Sequence, residues 1–262
     1  MVTVALIQSD IRPHDVEANL RHYEDLLKDK IKEPVDLMVF PEMFNCGFSG
    51  NFGQHAESME GGNVTFLQKI AQRYNCDVIA TLPVQDGEKI VNRLIWMSPD
   101  GIRGWYDKKH LFLGSEQKTC TPGDKRTIVE SLGQRWLPLI CYDVRFPVWS
   151  RNAFHEGQFL YDCLIYTANF PEPREQVLLK LAAARAIENQ AYVLVVNRIG
   201  YDGEGHAHAG GTAVLSSQGE ILCQAAFNQE EVLQYSLDFD VLRQLRSSFP
   251  VAKQWDEYGC MR

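Results

Sequence analysis

The spacing of apolar residues along the chain switches between two rhythms, and each switch marks an element. Val4-Ala5-Leu6-Ile7 is a continuous apolar run and predicts a buried strand over 3–8. Val16, Leu20, Tyr23, Leu26, Leu27 and Ile31 then fall close to a 3.6-residue stripe, which predicts an amphipathic helix over 15–31. Leu37 to Phe40 reads as a second strand and runs out at Pro41-Glu42. Phe66, Leu67, Ile70 and Tyr74 share one face of a helix over 63–74, with Asn63 as its expected N-cap. Three strands follow, over 77–84, 90–97 and 102–106, separated by the turn signals Asp86-Gly87 and Pro99-Asp100-Gly101.

The second half predicts a strand pair over 126–130 and 136–141, and a helix over 148–155 after Pro147. It continues with a strand over 163–169, a strong helix over 175–189 and a strand over 192–199. A strand pair over 211–215 and 220–224 turns at Gln218-Gly219. A last strand over 232–237 leads to a short helix over 240–247. Residues 45–51 and 114–125 follow neither rhythm and are rich in turn formers. They read as loops, the first a candidate wall or lid for a pocket.

Strands this numerous, with striped helices that need a sheet face to cover, indicate an α/β protein with mixed sheets. No linker, low-complexity stretch or internal repeat divides the chain, so residues 1–262 read as one domain. No apolar run is long enough to span a membrane, and the first residues enter a strand without the basic start of a signal peptide. Acidic residues outnumber basic ones 34 to 26, with no Lys/Arg block, which argues against nucleic acid as a partner. The seven cysteines (46, 76, 120, 141, 163, 223 and 260) are odd in number and scattered, with no Cys-x-x-Cys pair. That pattern fits free thiols in a reducing cytoplasm better than a disulfide framework.

Three strand ends carry chemistry. Cys141 closes the apolar run that begins at Trp136 and stands before a proline and a helix start. A thiol on such a turn meets backbone N–H groups, which favour thiolate and bind oxyanions. The alternative is a cysteine serving as small core filler. Glu42 ends the run Asp36-Leu37-Met38-Val39-Phe40-Pro41, and Lys108 ends the run Trp105-Tyr106-Asp107. In an extended segment Lys108 and Lys109 point to opposite faces, so only one of them faces a common site.

In these stretches the chain resembles the nitrilase superfamily of carbon–nitrogen hydrolases: a Glu in a strand-end Pro-Glu, a Lys in Tyr-x-Lys-x-His-Leu-Phe, and a Cys in Cys-Tyr-Asp-x-Arg-Phe-Pro, in that order. The resemblance spans nearly the whole chain and selects Lys108 over Lys109. It implies an αββα four-layer sandwich, commonly dimeric. It also implies roles. Cys141 is the nucleophile, Glu42 the proton carrier, and Lys108 the oxyanion holder, with the backbone N–H of Tyr142 as second donor. The lysine charge is expected to favour thiolate. Glu116, ahead of Pro122-Gly123, matches a second family glutamate that orients the lysine. His110, a rival partner for the thiol, is expected to orient its loop instead. His206 and His208 read as loop residues rather than metal ligands, and neither a metal nor a cofactor is expected.

Arg145, four residues after Cys141, is a candidate grip for a substrate carboxylate; the alternative is a buried structural arginine paired with Asp143 or another acid. Phe44, Phe112, Phe170 and Tyr106 are candidates for an apolar pocket wall. The stretches Cys141–Pro147, Tyr166–Pro171 and Ala184–Tyr192 resemble the omega-amidase branch, which deamidates ω-amides of 2-oxo dicarboxylic acids such as 2-oxoglutaramate and 2-oxosuccinamate. Ala168 departs from that branch, which often has glycine there. Other family amidases, N-carbamoyl amine hydrolases, nitrilases and a non-catalytic ligand-binding relative are the competing readings. The helices after Cys141 and over 175–189 are the expected two-fold interface.

Overall fold

The computed structural model describes residues 1–172 and 174–256. Cys260 lies outside the described residues. Among them are two six-stranded sheets built to the same plan. The first runs, edge to edge, Glu231–Leu237, Val2–Gln8, Leu37–Val39, Asp77–Asp86, Lys89–Ser98 and Gly101–Asp107. The second runs Ile221–Gln224, Ala213–Leu215, Tyr192–Val196, Cys163–Thr167, Gln134–Ile140 and Val129–Ser131. In each sheet three central strands are parallel and the outer ones antiparallel.

Side chains alternate across a strand, and here both faces are apolar. On the first sheet Val4, Leu6, Val39, Ile79, Leu94 and Trp96 point toward the second sheet. Ala5, Ile7, Met38, Phe40, Val78 and Ile95 point the other way, onto helices Val16–Lys30 and Gly62–Tyr74 through Tyr23, Leu27, Phe66, Leu67 and Ile70. Trp96 and Trp136 meet between the sheets with ring centroids 5.7 Å apart. Helix Glu175–Asn189 covers the second sheet with Leu178, Leu179, Ala182 and Ala186. The layers are therefore helix, sheet, sheet, helix, the αββα sandwich expected from the sequence. Each fully buried side chain of leucine size contributes about 1.5–3 kcal/mol to holding them together.

Several local expectations need correction. The N-cap of Gly62–Tyr74 is Gly61, not Asn63. The Glu57 carboxylate reaches over the helix start and accepts from the Asn63 N–H at 3.0 Å, so a distant side chain does the capping. The helix expected over 148–155 is a single turn, Pro147–Ser150, preceded by a 3₁₀ turn over Cys141–Arg145. Asn152 ends it: its side chain is buried and donates to the carbonyls of Tyr161 and Asn189. Phe154–His155 and Gln158–Phe159 then pair as a small hairpin. The polar stretch 114–125 contains a short helix, Ser115–Thr119. Residues 199–209 form an unexpected hairpin, Ile199–Tyr201 with Ala207–Ala209.

Candidate active site

Both sheets deliver residues to one edge. Beyond strand Leu37–Val39 the backbone turns sharply, with Met43 at φ 53°. That turn is pinned from both sides. Phe40 N–H donates to Ile79 O at 2.8 Å and Met43 N–H to Thr81 Oγ1 at 2.8 Å, both in the first sheet. Glu42 N–H donates to Ala168 O at 3.2 Å, at the end of a strand of the second. The carboxylate of Glu42 is thereby fixed where the sheets meet.

Lys108 follows strand Gly101–Asp107 directly. Its N–H donates to Asn92 O at 2.9 Å, and its carbonyl accepts from Gly123 N–H at 2.9 Å. A Cβ at Gly123 would lie 2.2 Å from Asp107 O, so only glycine lets the Pro122-Gly123 turn close on this strand end. Ahead of this turn, on the one-turn helix Ser115–Thr119, the Glu116 side chain is wholly buried.

The Lys108 ammonium donates to Glu42 Oε1 at 2.7 Å and to Glu116 Oε2 at 2.9 Å. Asn92 Nδ2 also donates to both carboxylates, at 2.9 Å to Glu42 Oε1 and 2.8 Å to Glu116 Oε1. Phe112 N–H donates to Glu116 Oε2 at 2.5 Å. Burial works against the Lys108 charge, but Glu116 and Glu42 outweigh it and hold its pKa well above the ordinary lysine value. Burial likewise raises the Glu116 pKa, against the pull of Lys108. Lys109 points away, with its ammonium over the Trp149 ring.

Cys141 sits at the exit of strand Gln134–Ile140 with φ 44°, a left-handed conformation that side chains other than glycine adopt only when their surroundings impose it. The imposing groups are Asp143 and Arg185. Asp143 Oδ2 accepts from Ile140 N–H at 3.1 Å and from Tyr106 Oη–H at 2.7 Å. Its Oδ1 accepts from the backbone N–H of His110 at 3.1 Å and from His110 Nδ1 at 2.8 Å. Arg185 donates from Nε and Nη2 to Val144 O at 3.1 and 2.8 Å. One carboxylate thus ties the cysteine turn to the lysine loop, and one guanidinium ties it to helix Glu175–Asn189. His110 is stacked on Phe146, with ring centroids 3.6 Å apart, and orients its loop as expected.

The Cys141 thiol lies against the Glu42 carboxylate and the backbone N–H of Asn169. Burial first, and then the Glu42 charge, push its pKa well above that of a free thiol, against the opposing pull of Lys108. Lys108 does pull toward thiolate, as expected, but its pull is outweighed in the resting site. Burial and the Glu42 carboxylate outweigh the one ammonium, and the thiol stays neutral beside that carboxylate.

Above these groups opens a cavity of about 210 Å³. Phe48, Phe112, Tyr142 and Phe170 wall it, and Arg145 and Arg174 stand on its rim. Arg145 is exposed, makes no ion pair with Asp143, and lies with Cζ 5.7 Å from the Phe170 ring. Phe44 and Tyr106 are corrected. Phe44 is core, packed on Tyr23, Phe40 and Phe66. Tyr106 is buried beneath the site, where its hydroxyl supports Asp143 and accepts from the Lys109 N–H and Trp149 Nε1. Sequence reasoning missed Asn92, Phe48, Asn169 and Arg174. It also missed the hairpin over 199–209, where His206 lies in the loop as expected but His208 is buried in strand Ala207–Ala209, and both bond Asp202 Oδ2, at 3.0 and 3.4 Å, beside the cavity.

The profile of the carbon–nitrogen hydrolase family matches residues 3–247. The chain belongs to this family. It is 38% identical over 256 residues to omega-amidase YafV of Escherichia coli K12, covering 97% of each chain. It is 34% identical over 250 residues to the 2-oxoglutaramate amidase of Paenarthrobacter nicotinovorans, covering 90% of this chain and 83% of that one. Among solved structures it superposes on XC1258 of Xanthomonas campestris, a CN-hydrolase superfamily protein with an arsenic adduct in its active site. That match has a TM-score of 0.94, 34% identity and 98% coverage of both chains. A carbon–nitrogen hydrolase needs a nucleophile, a proton carrier and oxyanion donors at one point. Cys141, Glu42 and Lys108 are groups of these three kinds, converging at the floor of one cavity.

Proposed function

We propose that this hydrolase removes ammonia from the ω-amide of a small 2-oxo acid, with Cys141 as nucleophile. The observation that carries the reading is the shape of the cavity: a buried thiol–carboxylate–ammonium floor beneath an arginine-bearing rim. A short chain with an amide at one end and a carboxylate at the other spans floor and rim. The similarity to an omega-amidase and to a 2-oxoglutaramate amidase supports the same substrate class.

In the proposed reaction Glu42 takes the Cys141 proton as sulfur attacks the amide carbon. Lys108 Nζ and the Tyr142 N–H hold the resulting oxyanion. An ammonium has three N–H donors. Glu42 takes one and the two Glu116 oxygens, at 2.9 and 3.1 Å, share a second, which leaves the third for the oxyanion. The C–N bond breaks as Glu42 returns the proton to nitrogen, releasing ammonia and leaving a thioester. Glu42 then removes a proton from water, which attacks the thioester carbon. The acid departs and the thiol regains its proton. Glu116 and Asn92 keep Lys108 and Glu42 in register.

Ammonia release across a panel of small amides tests this reading. The panel includes 2-oxosuccinamate, 2-oxoglutaramate, uncharged linear amides and N-carbamoyl amines. The ω-amides are expected to be hydrolysed with the highest kcat/KM. Equal rates on butyramide and 2-oxosuccinamate would refute the substrate class.

We also propose that one domain carries the whole activity, that the enzyme works in the cytoplasm, and that it is a homodimer or larger homo-oligomer. Six described cysteines are free thiols, and no helix among the described residues is long and apolar enough to cross a membrane. On the two helices expected at the interface, Ala182 and Ala186 pack inward, while Ile187 and Val148 are 56% and 49% exposed and offer apolar surface. Light scattering should give twice the chain mass or more; a fully active monomer would contradict the self-association.

A further inference from the structure

Two guanidiniums, not one, share an aromatic ring at the cavity rim. Arg145 Cζ lies 5.7 Å from the Phe170 ring centroid, and Arg174 Cζ lies 6.0 Å from the same centroid and 5.3 Å from that of Phe112. Both rings line the cavity that contains Cys141. Neither guanidinium has a side-chain hydrogen bond or ion pair among the described residues, whereas buried arginines elsewhere, such as Arg93 and Arg198, are paired with aspartates. Two further carboxylates line the cavity, and neither pairs with these arginines: Asp202 accepts from the backbone N–H groups of Glu204 and His206 and from both histidines, and the half-exposed Glu204 lies 4.0 Å from His206. Two like charges held beside one another with free N–H donors form a site that an anion completes.

The chemistry of the substrate class, which rests on the functional reading above, says why two are present. A 2-oxo carboxylate offers oxygens from two adjacent carbons: two on the carboxylate and one on the keto carbon. One guanidinium fork matches the carboxylate, and the keto oxygen needs a further donor. We propose that Arg174 is a specificity-determining residue that works beside Arg145: together they hold the 2-oxo-carboxylate head, and their joint charge rejects an α-ammonium at the same carbon. Cation–π contact with Phe112 and Phe170 limits the freedom of the Arg174 side chain before binding. Specificity of this kind combines an attraction for one ligand with a repulsion of its analogue.

Four amides of one chain length separate the contributions. 2-Oxosuccinamate carries the keto oxygen, succinamate lacks it, asparagine replaces it with an ammonium, and butyramide has no carboxylate. With the intact protein, Arg174→Gln is expected to lower kcat/KM on 2-oxosuccinamate by about 30-fold or more. The loss should shrink in the order 2-oxosuccinamate, succinamate, butyramide, and the preference for 2-oxosuccinamate over asparagine should narrow. Arg174→Lys keeps the charge without the fork. It should retain discrimination against asparagine but still lose rate on 2-oxosuccinamate. Equal losses on all four amides would make Arg174 structural, and an unchanged 2-oxosuccinamate to succinamate ratio would overturn the proposal alone. If the unmodified enzyme shows no preference for 2-oxosuccinamate over butyramide, the functional reading and the proposal fall together.

Discussion

The Lys108 ammonium lies 2.7 Å from Glu42 Oε1, with 0% and 1% of the two side chains exposed. Removing one partner of such a pair leaves the other charge buried and unmatched. Glu116 limits that loss here, because it also holds Lys108. Glu42→Gln keeps the side-chain shape and removes proton transfer. It should leave the fold intact by circular dichroism and lower kcat by ~10²–10⁴-fold. A rate near that of the unmodified enzyme would move the base elsewhere, with Glu116 and His110 next in line.

Asn92 uses one amide group to bridge two buried carboxylates. Asn92→Ala takes a donor from each and adds no replacement. Hydrogen bonds to charged groups contribute about 1.5–3 kcal/mol apiece, and a buried acceptor left open adds its desolvation cost. Denaturant unfolding should show a loss of about 2–4 kcal/mol, together with a fall in kcat as Glu42 and Lys108 lose register. Unaltered stability would mean that water replaces the amide without cost.

Arg145 stands exposed on the cavity rim without an acidic partner among the described residues. Arg145→Lys preserves charge and loses the planar fork. The kcat/KM on 2-oxosuccinamate should fall by a factor corresponding to about 2 kcal/mol or more, with a much smaller effect on butyramide. Equal losses would assign Arg145 to structure.

His208 provides a pH signature in stability. Its side chain is buried, and burial pushes its pKa down to about 4, with Arg198 adding to the shift and Asp202 opposing it. The unfolded chain takes up this proton near the ordinary histidine value of about 6.5, so between the two values it binds more protons than the native state. Stability contributed at this position is therefore full at neutral pH and falls as pH drops from about 6.5 to about 4, by up to about 3 kcal/mol. His208→Gln should remove that part of the slope. Parallel stability–pH curves for the two proteins would contradict it.

The parts of this site that were readable in the sequence are those where an apolar run stops at a reactive residue. Glu42, Lys108 and Cys141 each follow a buried strand, and strand ends gather at a sheet edge. Helix Glu175–Asn189 was readable to its last residue because helix-forming residues fill it and Gln190 then turns left-handed, with φ 46°. Asn92 was not readable. It sits mid-strand in a run that is buried on both faces, where a polar residue gives no sign of which neighbour it meets. Phe44 and Phe48 show the same limit from the other side. They lie four residues apart in one loop, yet the turn at Met43 sends Phe44 into the core and Phe48 to the cavity. The resemblance pointed to Glu116, but the one-turn helix that turns this side chain inward, while Gln117 and Lys118 stay exposed, has no apolar stripe in the sequence to announce it.

Ammonia release by Cys141→Ala is the most direct test of the thioester route. The substitution removes one sulfur from a turn that Asp143 and Arg185 continue to hold, so thermal unfolding should remain cooperative with a midpoint close to that of the unmodified protein. On 2-oxosuccinamate this folded variant is expected to release no ammonia above the uncatalysed rate. Substantial turnover by the same folded variant would show that Cys141 is not the nucleophile.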